Sequence, residues 1–121
     1  MLTGKFTRNT QFDPKDHRNF NRHGESFDQG ETFSGVDYEI GLQAVEELRA
    51  LVPEGATMAQ FALRWILMFP EVSSTIAGAK NPQQINDNVQ ATALPPLSDE
   101  TMQRVREIYD KYIRAQVQKR W

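Results

Sequence analysis

ATMAQFALRWILMFPEVSSTIAGAKNPQQINDNVQATALPPL, residues 56–97, contains a complete helix–strand–helix pattern. Thr57-Met58-Ala59-Gln60 has the form of a capping box, in which the Thr57 hydroxyl takes the Gln60 amide and the Gln60 side chain reaches back. The helix it opens, expected over Met58 to Phe69, is apolar nearly all round except at Arg64, so it needs burial on most sides. Pro70 ends it. Val72-Ser73-Ser74-Thr75-Ile76-Ala77-Gly78 is short and β-branched, and is the one convincing strand in the chain. Asn81-Pro82 then supplies an N-cap with proline in the first helical position. Ile85 and Val89 mark the expected inner face of the helix that follows, and Pro95-Pro96 breaks the chain.

Outward from this stretch the signals remain helical as far back as Tyr38. Between Glu39 and Leu51, the residues Gly41, Ala44, Val45, Leu48 and Leu51 fall on one face, with Glu46, Glu47 and Arg49 opposite. Pro53-Glu54-Gly55 closes that helix. On the C-terminal side, Ser98-Asp99-Glu100 caps a last helix, with Met102, Val105, Ile108, Tyr109 and Tyr112 at spacings of three and four. Those tyrosines read as packing residues. Residues 1–37 are polar and without period. They form either an ordered loop pinned by Phe6, Phe12, Phe20, Phe27 and Phe33, or a disordered arm.

One strand cannot satisfy its own two edges. Helix, strand, helix is a βα repeat without its neighbours, which marks the chain as a piece of a larger α/β fold. The 121 residues suffice for one small domain. A chain of this length buries roughly 65% of its unfolded surface.

Composition narrows the function classes. With 39% apolar and 25% charged residues the chain reads as soluble, and 14 Lys+Arg against 16 Asp+Glu leave a net charge of −2. That balance lacks the basic face that non-specific nucleic-acid binding requires. No cysteine is present, which excludes disulfides, thiolate metal sites and cysteine nucleophiles. Trp65 to Phe69 is the longest apolar run and is far too short to span a bilayer. The first ten residues have no secretory h-region, so a cytoplasmic location is expected. His17 and His23 have no third ligand at suitable spacing for a metal. Glu46 and Glu47 are adjacent and point apart on a helix, so they form no catalytic pair.

The stretch from residue 56 to 97 resembles the C-terminal portion of the aldo-keto reductase family, most of all the branch related to potassium-channel β subunits. That family has an AQLALAWLL-type helix, a strand ending in I-P-G-A or I-P-K-S, and a helix ending in E-N. Leu2-Thr3-Gly4-Lys5-Phe6 is similar to the family's L-T-G-K-Y stretch after the seventh barrel strand, and residues 13–22, DPKDHRNFNR, resemble its D-x-R-x-x-N-x-R loop. The resemblance implies the C-terminal part of a (β/α)₈ TIM barrel, a fold of about 250 residues when complete. Taken alone, the piece would be mostly α-helical with one short strand. Residues 1–37 would be the loop after strand seven. Residues 38–121 would carry the helix 7 region, strand eight, helix eight and a C-terminal helix.

The family's catalytic Tyr, Asp, Lys and His lie on earlier strands, so the resemblance implies no catalytic residue here and no turnover by this chain alone. What it does imply is a clamp for NADP(H), in an enzyme that moves hydride between nicotinamide and a small carbonyl substrate. Gly78 would let the backbone approach the cofactor, and Lys80 would meet the adenosine 2′-phosphate beside a helix N-terminus. Gln84 would lie at the adenosine phosphate end, with Asp87 and Asn88 on the adenine. Lys5 and Arg18 would reach the pyrophosphate or the 2′-phosphate from the seventh loop. Ala77 stands where the family has Pro, Gly78 and Ala79 where many members have Lys and Ser, and Asp87 where they have Glu. Gln84 replaces an Arg, which weakens the preference for NADP over NAD. The rival reading is a non-enzymatic helical module whose exposed apolar helix 58–69 binds a partner. On either reading the isolated chain is expected to self-associate, to dock the missing barrel portion, or to be partly molten.

Overall fold

The structure, a computed structural model, describes residues 1–120. Six α-helices occur among them: α1 (His17–Phe20), α2 (Tyr38–Arg49), α3 (Met58–Ile66), α4 (Pro82–Gln90), α5 (Asp99–Tyr112) and α6 (Arg114–Val117). α2 starts where the Asp37 side chain accepts the Ile40 amide, and it buries Tyr38, Gly41, Leu42, Ala44 and Val45. That is the face its periodicity predicts. α5 starts where Ser98 accepts the Thr101 amide. It packs against α2, while α3 packs against α4. Val45, Met58, Phe61 and Leu97 form the centre of the core, with Leu48, Trp65, Met102 and Val105 around them.

α3 is shorter than the expected Met58–Phe69. Both halves of its capping box are formed, but the helix stops at Ile66. Met68 N then donates to Trp65 O at 3.1 Å and Phe69 N to Ile66 O at 3.3 Å. These i→i+3 bonds tighten the last turn because Pro70 disfavours the helical conformation at Phe69. Burial on most sides is not reached either. Met58, Gln60 and Phe61 are buried, while the rest of the helix is half-covered. The other helices are too few to enclose it.

The strand expected over residues 72–77 is absent among the described residues, which contain no strand at all. The physical cause is the lack of a partner, since no second segment lies alongside to accept its ladder. Ile76 is consequently 102% exposed. The expected inner face of α4 is also reversed. Ile85 and Val89 are 54% and 61% exposed, whereas Gln84, Asp87, Asn88 and Ala91 turn inward at i, i+3, i+4 and i+7 spacing. α4 docks by its polar side because Gln60 of α3 offers it hydrogen bonds.

Residues 1–37 are an ordered loop. Phe6, Phe12 and Phe33 gather with Tyr38, their ring centroids 5.1 to 6.2 Å apart. Phe20 and Phe27 form a separate edge-to-face pair at 6.1 Å, and His17 lies against Phe27. No helix is long and apolar enough to cross a membrane among the described residues.

Candidate functional site

The start of α4 is built by short-range polar contacts. The Asn81 side chain accepts the Gln84 amide at 2.9 Å, and Pro82 occupies the first turn. Gln84 folds back so that its Oε1 accepts the Lys80 amide at 2.7 Å. Gln83 Nε2 donates to Asp87 Oδ1 at 2.8 Å. Lys80 is exposed, and neither its ammonium nor the half-buried Asn88 side chain has a hydrogen-bond or ion-pair partner among the described residues. Gln84, Asp87 and Asn88 therefore share one face of α4, and Lys80 lies just before its N-cap.

Gly78 precedes this group. Its backbone is not in the left-handed region, and a Cβ added there would meet no atom within 4 Å. Nothing in the chain itself requires glycine at this position. The space in front of it is open, which is what close approach of a ligand to the backbone needs.

A residue that the sequence showed only as a cap proves to hold this helix. Gln60 accepts the Thr57 amide at 2.9 Å as part of the capping box. Its Nε2 also donates to Asp87 O at 3.0 Å and to Gln90 Oε1 at 3.3 Å. Gln60 is buried, and it ties the start of α3 to the last turns of α4. The capping pattern made Gln60 legible, but its reach to α4 is a tertiary contact without a local signal.

Lys5 and Arg18 lie in the loop and share no hydrogen bond or ion pair with the α4 group among the described residues. Lys5 is exposed. Arg18 forms a fork with Asp16 and stacks over Phe12, its guanidinium carbon 4.9 Å from the ring centroid. The hydrogen-bonded Arg18 holds the Asp16 carboxyl well below the usual carboxylate range, and Asp16 in turn raises the Arg18 value. Arg22 stacks on Tyr38 at 4.7 Å.

Behind these cations lies a buried polar knot. Asn21 has no exposed surface. Its Oδ1 accepts the amides of Ser26 and Phe27 at 2.8 and 2.9 Å, and its Nδ2 donates to Thr32 Oγ1 at 3.2 Å. His17 Nδ1 meets the same Thr32 oxygen at 3.2 Å. His17 is thus engaged in loop structure. No group of three or more His, Asp or Glu able to hold a metal gathers among the described residues.

A sizeable apolar concavity lies elsewhere. A groove of about 650 Å³ runs between α2, α3 and α5, lined by Val45, Met58, Phe61, Trp65, Met102 and Val105 among others. Its walls are mainly apolar, with Ser34, Arg106, Tyr109 and Arg114 among the polar lining residues. The polar groups suited to a cofactor gather around α4 instead.

Comparison with known proteins finds relatives that share part of this chain. The chain is 46% identical over 69 residues to a putative voltage-gated potassium channel subunit beta of Schizosaccharomyces pombe, covering 55% of this chain and 20% of that protein. It is 33% identical over 92 residues to the L-glyceraldehyde 3-phosphate reductase of Escherichia coli strain K12, covering 75% of this chain and 25% of that protein. It is 40% identical over 57 residues to a probable voltage-gated potassium channel subunit beta of Arabidopsis thaliana, covering 46% of this chain and 17% of that protein. The chain thus spans a quarter or less of the length of these relatives. No solved structure matches. The profile of the Aldo/keto reductase family matches residues 1–110, and the chain belongs to that family.

Proposed function

We propose that this chain is the C-terminal, cofactor-clamping segment of an NADP(H)-dependent carbonyl/alcohol oxidoreductase. The observation that carries this reading is that Gln84, Asp87 and Asn88 share a face of α4, with Lys80 just before its N-cap and the open backbone at Gly78 beside it. The donor set fits the adenosine end of a dinucleotide. An unpaired ammonium suits a phosphate, a side-chain amide and a carboxylate suit an adenine edge, and a helix start favours anions. Bound NADP(H) would supply hydride chemistry, while this chain would bind and orient its adenosine half. Lys80 reads the 2′-phosphate, Gln84 lies beside it, and Asp87 and Asn88 meet the base. Lys5 and Arg18 approach the phosphates from the seventh loop once the barrel brings the two groups together. The small carbonyl substrate is bound by parts of the barrel outside this chain, and a cytoplasmic location accords with this role.

The test is a completed barrel carrying this segment. Losing a charge-assisted contact costs about 1.5–3 kcal/mol, or roughly ten- to a hundredfold in affinity. Lys80→Ala should therefore weaken NADPH much more than NADH by fluorescence titration, and Asn88→Ala should weaken both alike. Equal losses on removing Lys80 would withdraw the NADP assignment and leave a generic dinucleotide site. The 121-residue chain alone should show no carbonyl reduction with NADPH.

The apolar groove favours a second reading, a helical module that receives a partner, of which the remaining barrel portion is one. Dinucleotide binding by the purified chain, followed by fluorescence, separates the two.

A further inference from the structure

We infer that His17 is a proton-sensitive latch of the loop 1–37. It closes the knot around Asn21 as a neutral imidazole with its proton on Nε2, and it loosens the loop when it becomes charged. Donors and acceptors at one buried oxygen lead there. Asn21 Oδ1 accepts the backbone amides of Ser26 and Phe27, which fixes the two ends of that side-chain amide. Nδ2 must therefore be the atom that donates to Thr32 Oγ1. Thr32 is 1% exposed, and the other partner of its hydroxyl among the described residues is His17 Nδ1 at 3.2 Å. The hydroxyl proton has nowhere else to go, so Nδ1 is the acceptor and carries no hydrogen.

A charged imidazole has hydrogen on both ring nitrogens. His17 Nδ1 and Asn21 Nδ2 would then both donate to Thr32 Oγ1, and the hydroxyl proton would be left buried without an acceptor. Such a group is costly, so the knot accepts neutral His17 and rejects the charged form. The charged neighbours do not reverse this. Asp16 is the one whose charge reaches His17, and its carboxylate is already held in the fork with Arg18. Glu31 ends the short turn Gln29–Glu31 before Thr32, Asp28 caps that turn, and Arg120 of the tail reaches it through Gln29. In the segment that brings Phe27 against the imidazole, Glu25 accepts the His23 amide. None of these side chains shares a hydrogen bond or ion pair with His17 among the described residues. The Asn21 amide donates to His17 O at 2.8 Å, so the turn of α1 that carries Arg18 is tied to the knot and loosens with it. The latch is independent of the dinucleotide reading, and its test contains no cofactor.

Two NMR measurements on the 121-residue chain test the latch. Imidazole nitrogen shifts read the tautomer and charge of His17. Amide exchange, corrected for its intrinsic dependence on pH, reads the loop. At about pH 7.5 His17 should be neutral with a bare Nδ1, and the Ser26 and Phe27 amides should be protected. On acidification that protection should fall about tenfold or more, in step with the proton gained by His17, while α2 and α5 keep theirs. In His17→Gln, which takes up no proton, the protection of the two amides should be the same at both ends of the range, whatever its level. The exposed His23 is the control, and His23→Gln should retain the drop. A neutral His17 protonated on Nδ1, Ser26 and Phe27 amides unprotected at every pH, protection that survives charging of His17, or a drop that persists in His17→Gln would each overturn the inference.

Discussion

Replacing Asn21 by Ala removes the centre of the loop knot. The amides of Ser26 and Phe27 lose their partner at once, and the Thr32 hydroxyl oxygen keeps only its contact with His17. A fully buried group left unpaired costs about 1–3 kcal/mol, but Ser26 and Phe27 are exposed residues, so water recovers part of the loss at their amides. The sum is about 2–3 kcal/mol, concentrated in the loop rather than spread over the chain. Hydrogen exchange reads this directly. The Ser26 and Phe27 amides should exchange about thirty- to a hundredfold faster in Asn21→Ala, while those of α2 and α5 keep their protection. Asn21→Asp keeps both acceptor contacts and loses the donation to Thr32, so its loop amides should fall between the two. If Ser26 and Phe27 exchange at the parent rate in Asn21→Ala, the side chain does not hold the loop and the reasoning fails.

Gly78→Ala should leave thermal stability unchanged or slightly raised, since its conformation needs no glycine, yet weaken dinucleotide binding in a completed barrel; unchanged affinity would show that no ligand approaches there. Gln60→Ala should cost about 2 kcal/mol in urea unfolding, through the lost cap and the lost tie to α4. Gln60→Glu should recover part of that, because it still accepts from Thr57. Glu47 is held below its ordinary value, first by Lys111 and then by Tyr112 and Arg104. Its stabilising contribution is therefore fully present above the ordinary carboxylate value and is lost as pH falls through the lowered folded value. The thermal midpoint should drop more steeply below about pH 5 in the parent than in Glu47→Gln. Lys111, raised by Glu47, adds the mirror effect, a contribution lost only as pH climbs through its raised value.

Elements with local determinants were legible. The Asn81, Thr57 and Ser98 caps each accept the amide expected of them, and the Gly41-to-Leu51 stripe faces the core, because cap chemistry and period act within a few residues. The strand at 72–77 and the inward face of α4 were not legible, because each depends on a partner surface rather than on its own few residues. Ile85 and Val89 have the right spacing for a buried stripe, but burial needs a partner, and Gln60 turns the helix by its polar side instead. The residues of the candidate site were proposed through family motifs. The shared face of Gln84, Asp87 and Asn88 on α4 is structural, and the knot around Asn21 has no pattern by which sequence could announce it.

The two principal helix pairings are nested: α2 with α5 on the outside, α3 with α4 within, and the open stretch 71–80 at the centre of both. A protease cutting that stretch would divide the chain without dividing its packing. One piece would carry α2 and α3, the other α4 and α5, each holding half of both pairs. The Glu47 contacts to Arg104, Lys111 and Tyr112 would then join separate polypeptides. This exposed stretch is therefore also the place where the molecule can be split into two halves able to find each other again.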